Sequence, residues 1–437
     1  MSARPFHLGW FYSKGFGPKA WKHQWAGPKS AVARFTKPDT AVELARAMER
    51  ACFDYFMIED SSNVPYTYQG SHDAYLRHSV DTPKLDPTVL APYLIAATEK
   101  LGIVVTCSTT EYHPFMLARK MNTLDHVSEG RIGWNVVTGS NDGGAQNYGR
   151  DKQYPHDERY DRADEFLEVA HGLWAGWEPD ALVLDLEKGV FADGDKVHPL
   201  HHEGRFYRSR GPLSAPRSPQ GSPVICQAGG SARGQAFAGR WAETIIASAS
   251  TPEKMKAYRD NVRATAAAHG RDPDQIKILF LVSPTVDETR ERAEDRYRRS
   301  LEIDDNEVEY QLASLSRQSG IDFSQFPMDE PLPDTLVSNG HQSMVAQWQG
   351  RVLADVIRGN PLNSGSNAFV GTADDVAAHM DEVMQEVGGD GFLLVNSYFS
   401  RRYVTEVCDG LVPELQRRGL TRTAYEHDHF RDNLMAF

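Results

Sequence analysis

Eight short stretches rich in β-branched and aromatic residues recur along the chain with helical patterns between them. This cadence limits the folds open to the chain more than any other feature. The stretches are HLGWFYS (7–13), YFMIED (55–60), GIVVTCSTT (102–110), RIGWNVVTG (131–139), PVICQAGG (223–230), ETIIASAS (243–250), KILFLVSP (277–284) and GFLLVNS (391–397). Several are apolar on both faces, as strands of a parallel sheet covered by helices must be. The intervening patterns predict helices over 39–52, 87–102, 114–130 and 157–174, with Asp39 as an N-cap and Gly130 as a C-terminal stop. Eight strands in this rhythm predict an α/β fold, a (β/α)8 TIM barrel, although a doubly wound sheet gives the same local signal. Residues 61–86, 178–222 and 303–390 exceed ordinary loop lengths. They are read as insertions after strands 2, 4 and 7 of a single domain spanning 1–437, capping its working face.

The formal net charge of −13 gives a nucleic-acid partner no general electrostatic support. No apolar run approaches the roughly 20 residues that span a bilayer. The opening MSARPFHLGWFYSK lacks a signal-peptide pattern, so a cytoplasmic protein with no membrane role is expected. Cys52, Cys107, Cys226 and Cys408 are scattered singly and read as free thiols, and no metal site is expected.

In a barrel, chemistry sits where the strands end at their C-termini. The second strand ends in Glu59 and Asp60, the third in Thr106 followed by Ser108, Thr109, Thr110 and Glu111, the fourth in Asn135 and Thr138, and the fifth in Gly229, Gly230 and Ser231. These are mostly hydrogen-bonding groups, suited to holding a large polar ligand. In AGGSARGQAFAGR, two glycines admit close backbone approach and Ser231 falls where a helix begins, a ready anion site. A capped helix after a tight turn reads the same way. His156 and Tyr160 in QYPHDERYDRADEF are four apart at a helix start and can donate to one phosphate, a pairing that is also common for structural reasons. Adjacent Glu59 and Asp60 are expected on opposite strand faces, which counts against a paired-carboxylate hydrolase. No G-x-S-x-G elbow is present, nor an H-x-H at the end of the first strand. Trp10, Phe11, Tyr12, Phe16, Trp21 and Trp25 crowd the expected barrel mouth, as a flat aromatic ligand would explain.

GRIGWNVVTGSN, YPHDERYDRADEFLEV, RGPLSAPRSPQGSPVICQAGGSARG and FAGRWAE together resemble the bacterial luciferase-like flavin monooxygenases. The resemblance is nearest to the two-component subfamily of nitrilotriacetate, EDTA, pristinamycin and dibenzothiophene-sulfone monooxygenases. It runs from about His7 to Pro284 and resumes near Phe369, and it implies a (β/α)8 barrel that takes reduced FMN from a separate NAD(P)H:flavin reductase. Dioxygen is the co-substrate: one atom enters a small organic substrate and the other leaves as water. Carried over by motif, the FMN contacts are Asp60, Thr106, His156, Tyr160 and Ser231, with Tyr160 and Ser231 at the phosphate. Asn135 and Thr138 are implied to line the catalytic pocket beside the flavin. The resemblance also implies a homodimer or homotetramer, and residues 303–390 are expected to act as a lid. The aromatic residues near the mouth point to an aromatic or heterocyclic organosulfur substrate. A deazaflavin-dependent oxidoreductase and a non-catalytic flavin-binding protein are the alternatives.

Overall fold

In the computed structural model, which describes residues 4–12, 36–358, 368–395 and 400–437, eight parallel strands close into a barrel. They are β1 (His7–Tyr12), β2 (Tyr55–Ile58), β3 (Gly102–Ser108), β4 (Ile132–Val137), β5 (Val224–Gln227), β6 (Thr244–Ala247), β7 (Lys277–Val282) and β8 (Gly391–Val395). Each pairs with its neighbours in sequence, and β8 closes the ring on β1 through His7 opposite Gly391. All eight predicted strands are therefore barrel strands. Their apolar runs are continuous because one face fills the barrel and the other meets the helices. Inside, Tyr55, Met57, Val104, Val224, Cys226, Ile246, Leu279 and Leu393 pack together with Phe430 and Leu434 of the short helix Phe430–Leu434, which plugs the floor. Gly102 makes room for that plug, since a Cβ there would lie 2.6 Å from the Phe430 ring.

Around the barrel run α1 (Asp39–Arg50), α2 (Pro87–Ile95), α3 (Pro114–Val127), α4 (His156–Ala175), α5 (Ala232–Trp241), α6 (Pro252–Ala268), α7 (Arg290–Ser300), α8 (Asp305–Ser319) and α9 (Ala373–Val387). The expected boundaries shift by local chemistry. Pro38 takes the N-cap of α1, leaving Asp39 in the first turn, where its charge favours the helix dipole. Helix α2 stops at Ile95 and α3 at Val127, ahead of Gly130, whose φ of +83° serves the turn into β4.

Residues 61–86 hold a short helix, Asp73–His78, and residues 178–222 hold two antiparallel hairpins, Leu182–Asp185 with Val190–Ala192 and His202–Glu203 with Arg208–Ser209. Within 303–390, α9 buries Val376, Met380, Val383 and Val387 in the main core as part of the outer helix layer. Helix α8 and residues 320–357 instead share a separate small core with residues 68–80. There Leu312, Leu315, Phe323, Leu332, Trp348 and Leu353 pack on Tyr68, Tyr75 and Val80. Arg317 pairs with Asp81 at 3.0 Å and Arg77 with Glu309 at 2.9 Å across the same junction. These two stretches thus form one cap from segments more than 200 residues apart.

The aromatic cluster does not line the mouth as expected. Alternation along β1 turns Trp10 and Tyr12 outward, Trp10 against Phe53 and Tyr403 and Tyr12 against Phe56, and leaves only Phe11 facing in. Phe16, Trp21 and Trp25 lie outside the described residues. Among the described residues no helix is long and apolar enough to cross a membrane.

Candidate functional site

A cavity of about 800 Å³ lies between the C-terminal ends of the strands and the cap, and it is lined by Asp60, Thr106, Asn135, Thr138, His156, Tyr160 and Ser231. One pole is built by α4 and α5. Ser231 caps α5, its Oγ accepting from the Gly234 N–H at 3.1 Å, so the N-terminus of that helix borders the cavity where Gly229, Gly230 and Ser231 line it. Two glycines shape the pole. A Cβ on Gly229 would lie 2.7 Å from the Gln227 amide, and one on Gly234 would lie 2.8 Å from the Tyr160 hydroxyl. His156 opens α4, and its Nε2 stands 3.3 Å from Ser231 Oγ, while its ring meets Tyr160 edge-on with centroids 5.2 Å apart. Burial raises the Tyr160 phenol above its ordinary value, so it is a neutral donor. Tyr160, Ser231 and His156 therefore converge at a helix N-terminus, an arrangement that can hold a phosphate.

The other pole lies on β2, β3 and β4. Asn135 and Thr106 are buried side by side, with Asn135 Nδ2 donating to Thr106 Oγ1 at 3.0 Å. Asn135 Oδ1 and Gln227 Oε1 are buried with no hydrogen-bond partner among the described residues. Buried amide oxygens in that state are acceptors for donors on a bound ligand. The N–H edge of a flavin's isoalloxazine ring offers such donors, so the residues present fit that cofactor. Thr138, just beyond β4, accepts through its carbonyl from Thr110 Oγ1 at 3.4 Å.

Glu59 and Asp60 depart from the expectation that they face opposite ways. Strand β2 ends at Ile58, so alternation no longer governs them, and both line the cavity. Glu59 is neutralised by Lys84 at 3.4 Å. Desolvation pushes Asp60 up to about 7, with the Ser61 N–H and the Lys84 charge opposing the rise and Glu111 and Asp86 adding to it. A carboxyl with a raised native pKa holds its proton longer folded than unfolded. Its contribution to stability is complete below the unfolded value near 4 and is lost as pH rises through about 7. Melting curves of flavin-free protein should show Asp60→Asn gaining on the wild type from about pH 4 to 7 and levelling off above that. A difference constant with pH would overturn this assignment.

Sequence reasoning missed the cap side of the cavity, formed by Tyr310, Gln311, Gln318, His341, Met344 and Trp348, and by Arg159 on α4. His341 is open to the cavity, yet the surrounding walls, and then the charges of Arg317 and Arg159, push its imidazole down to about 4. Only Arg159 carried a readable signal: it stands one helical turn after His156.

The luciferase-like monooxygenase family model matches residues 16–391. A dibenzothiophene-sulfone monooxygenase of Rhodococcus erythropolis (strain XP) is 37% identical, over 99% of this chain and 96% of its own. A dimethyl-sulfide monooxygenase of Hyphomicrobium sulfonivorans is also 37% identical, over 94% of this chain and 86% of its own. Among solved structures, a riboflavin lyase with modified FMN and its substrate riboflavin superposes with a TM-score of 0.90 at 33% identity, covering 99% of this chain and 96% of that one.

Proposed function

The chain belongs to the luciferase-like monooxygenase family, and from that premise we propose that it is a two-component enzyme using reduced FMN and dioxygen to oxygenate an aromatic or heterocyclic organosulfur compound. A separate NAD(P)H:flavin reductase supplies the FMN. The observation that carries the reading is a single cavity running from a phosphate-type pole at Tyr160, His156 and Ser231 to the buried amides of Asn135 and Gln227. Tyr160 and Ser231 hold the phosphate, and His156 orients Ser231. Asp60 and Thr106 lie along the ribityl chain and ring, while Asn135 and Thr138 form the wall beside the ring. Bound reduced flavin supplies the two electrons that send one oxygen atom to substrate and the other to water.

The protein's task is then to bind, orient and exclude water. The cap contributes the apolar side chains of Ile303, Met344, Trp348 and Ile357 to the cavity, and the end of α7 adds Leu301. The cations Arg317 on the cap and Arg296 on α7 are matched by Asp81 at 3.0 Å and by Asp287 and Glu406, each at 2.9 Å. Such walls favour a largely apolar sulfur compound over an aminopolycarboxylate. In the family setting the working form is a homodimer or homotetramer.

The test is anaerobic titration with reduced FMN and reduced deazaflavin, followed by mixing with dioxygen and dibenzothiophene sulfone under mass-spectrometric readout. Tight FMN binding with one oxygen atom gained from labelled dioxygen is the expected result. A preference for deazaflavin, or binding with no oxygenation across an organosulfur panel, would overturn it.

A further inference from the structure

Arg296 and Arg317 on the cavity wall each have a carboxylate within ion-pair distance, and Arg159 has none among the described residues. Its side chain is 2% exposed and lines the cavity from the first turns of α4. Nη2 donates to the backbone carbonyl of Asn339 at 2.8 Å, and Asn339 Nδ2 returns a bond to the Tyr154 carbonyl at 3.2 Å, tying α4 to the cap. Nε and Nη1 are buried with no hydrogen-bond partner among the described residues, and the carboxylates that act on its charge, Asp142 and Asp157, do so without forming an ion pair. A guanidinium stays charged at any working pH, and a buried unpaired charge is strongly unfavourable. Nearby on the same wall are His341, which feels the Arg159 charge, and Gln318, whose Oε1 has no partner among the described residues.

We propose that Arg159 is an oxyanion anchor of the cavity, donating from its unpartnered N–H groups to a phosphate, sulfinate, sulfonate or carboxylate oxygen on a bound molecule. Two sources share this chemistry. The flavin phosphate would lie close by, because His156 and Tyr160 sit on the same turns of α4. An acidic group on a ligand held under the cap would approach from the side of Asn339 and His341.

The inference rests on the flavin-dependent reading above, and one experiment separates the two. Anaerobic titrations compare reduced FMN, reduced riboflavin and, on the FMN-loaded protein, benzenesulfonate followed by the perturbed flavin absorbance. They are run on wild type, Arg159→Gln and Arg159→Lys. Failure of the wild type to bind reduced FMN sinks the parent reading. A loss of tenfold or more in Arg159→Gln for FMN but not riboflavin identifies the phosphate as the anion. Unchanged FMN affinity with a tenfold loss for benzenesulfonate identifies a second ligand's acid group. Arg159→Lys keeps the charge and should recover part of either loss, and it serves alone if Arg159→Gln does not fold. Equal losses for FMN and riboflavin, or changes below twofold throughout, would overturn the proposal.

Discussion

Removing the Tyr160 and Ser231 hydroxyls together, as Tyr160→Phe/Ser231→Ala, should weaken reduced-FMN binding about 100-fold while leaving riboflavin affinity within a few-fold of wild type. Each hydroxyl bonded to a charged phosphate is worth about 1.5–3 kcal/mol, and tenfold in affinity corresponds to about 1.4 kcal/mol. In the proposed site the two groups act on one phosphate, and both stand beside Gly234 and His156. Their effects should therefore fall short of simple addition. The Ser231→Ala change also removes the cap of α5, at a cost of about 1 kcal/mol in stability, which melting curves would show separately. Equal weakening of FMN and riboflavin would mean that the hydroxyls shape the cavity and do not hold a phosphate.

The second large effect is expected at the opposite end of the barrel. Asp54 is 3% exposed, and its Oδ1 accepts from His7 Nδ1 at 2.8 Å and Arg422 Nη2 at 2.6 Å, while Oδ2 accepts from the Leu8 N–H at 2.8 Å. Arg422 also donates to the Asn433 carbonyl at 2.7 Å, anchoring the helix whose Phe430 plugs the floor. Burial by itself would raise the Asp54 carboxyl, but His7 and Arg422 hold it below the usual carboxylate range. Breaking such a pair from one side costs about 3–5 kcal/mol because the remaining charge stays buried. Arg422→Met should lose stability on that scale in denaturant titrations, and adding Asp54→Asn should restore part of it. Since the native pKa is depressed, this stability is complete above the unfolded value near 4 and fades as pH falls through the lower native one. A loss below about 1 kcal/mol for Arg422→Met would show that the cluster does not hold the floor.

The barrel was legible in the chain because each strand is covered on both faces, which writes a continuous apolar run such as GIVVTCS in β3. The strand-end positions follow from the barrel, and the cavity gathers the seven residues implied by the resemblance, although Thr109 and Thr110 of the strand-end set do not line it. What failed had physical causes. Alternation was extended past Ile58 to Glu59 and Asp60, where the strand has already ended. The aromatic residues of β1 were assigned to the mouth as a group, although alternation sends Trp10 and Tyr12 to the outer layer. Arg159 is hard to read from the chain because it sits in HDERYDRADE, a run of charges that resembles a solvated helix face. The insertions are legible as a cap on the working face, but nothing local in residues 68–80 announces that they share a core with 312–357.

That shared cap core has a consequence for how the molecule can change over time. Substitutions that reshape the chamber around Trp348 and Met344 fall on a core distinct from the one that closes the barrel. Changes there can therefore reshape the chamber while the pole at Tyr160 and Ser231 stays intact, with destabilisation falling on the smaller core. The two segments of that unit stand far apart in sequence, so the cap is also the natural last step of folding, docking onto a barrel already formed.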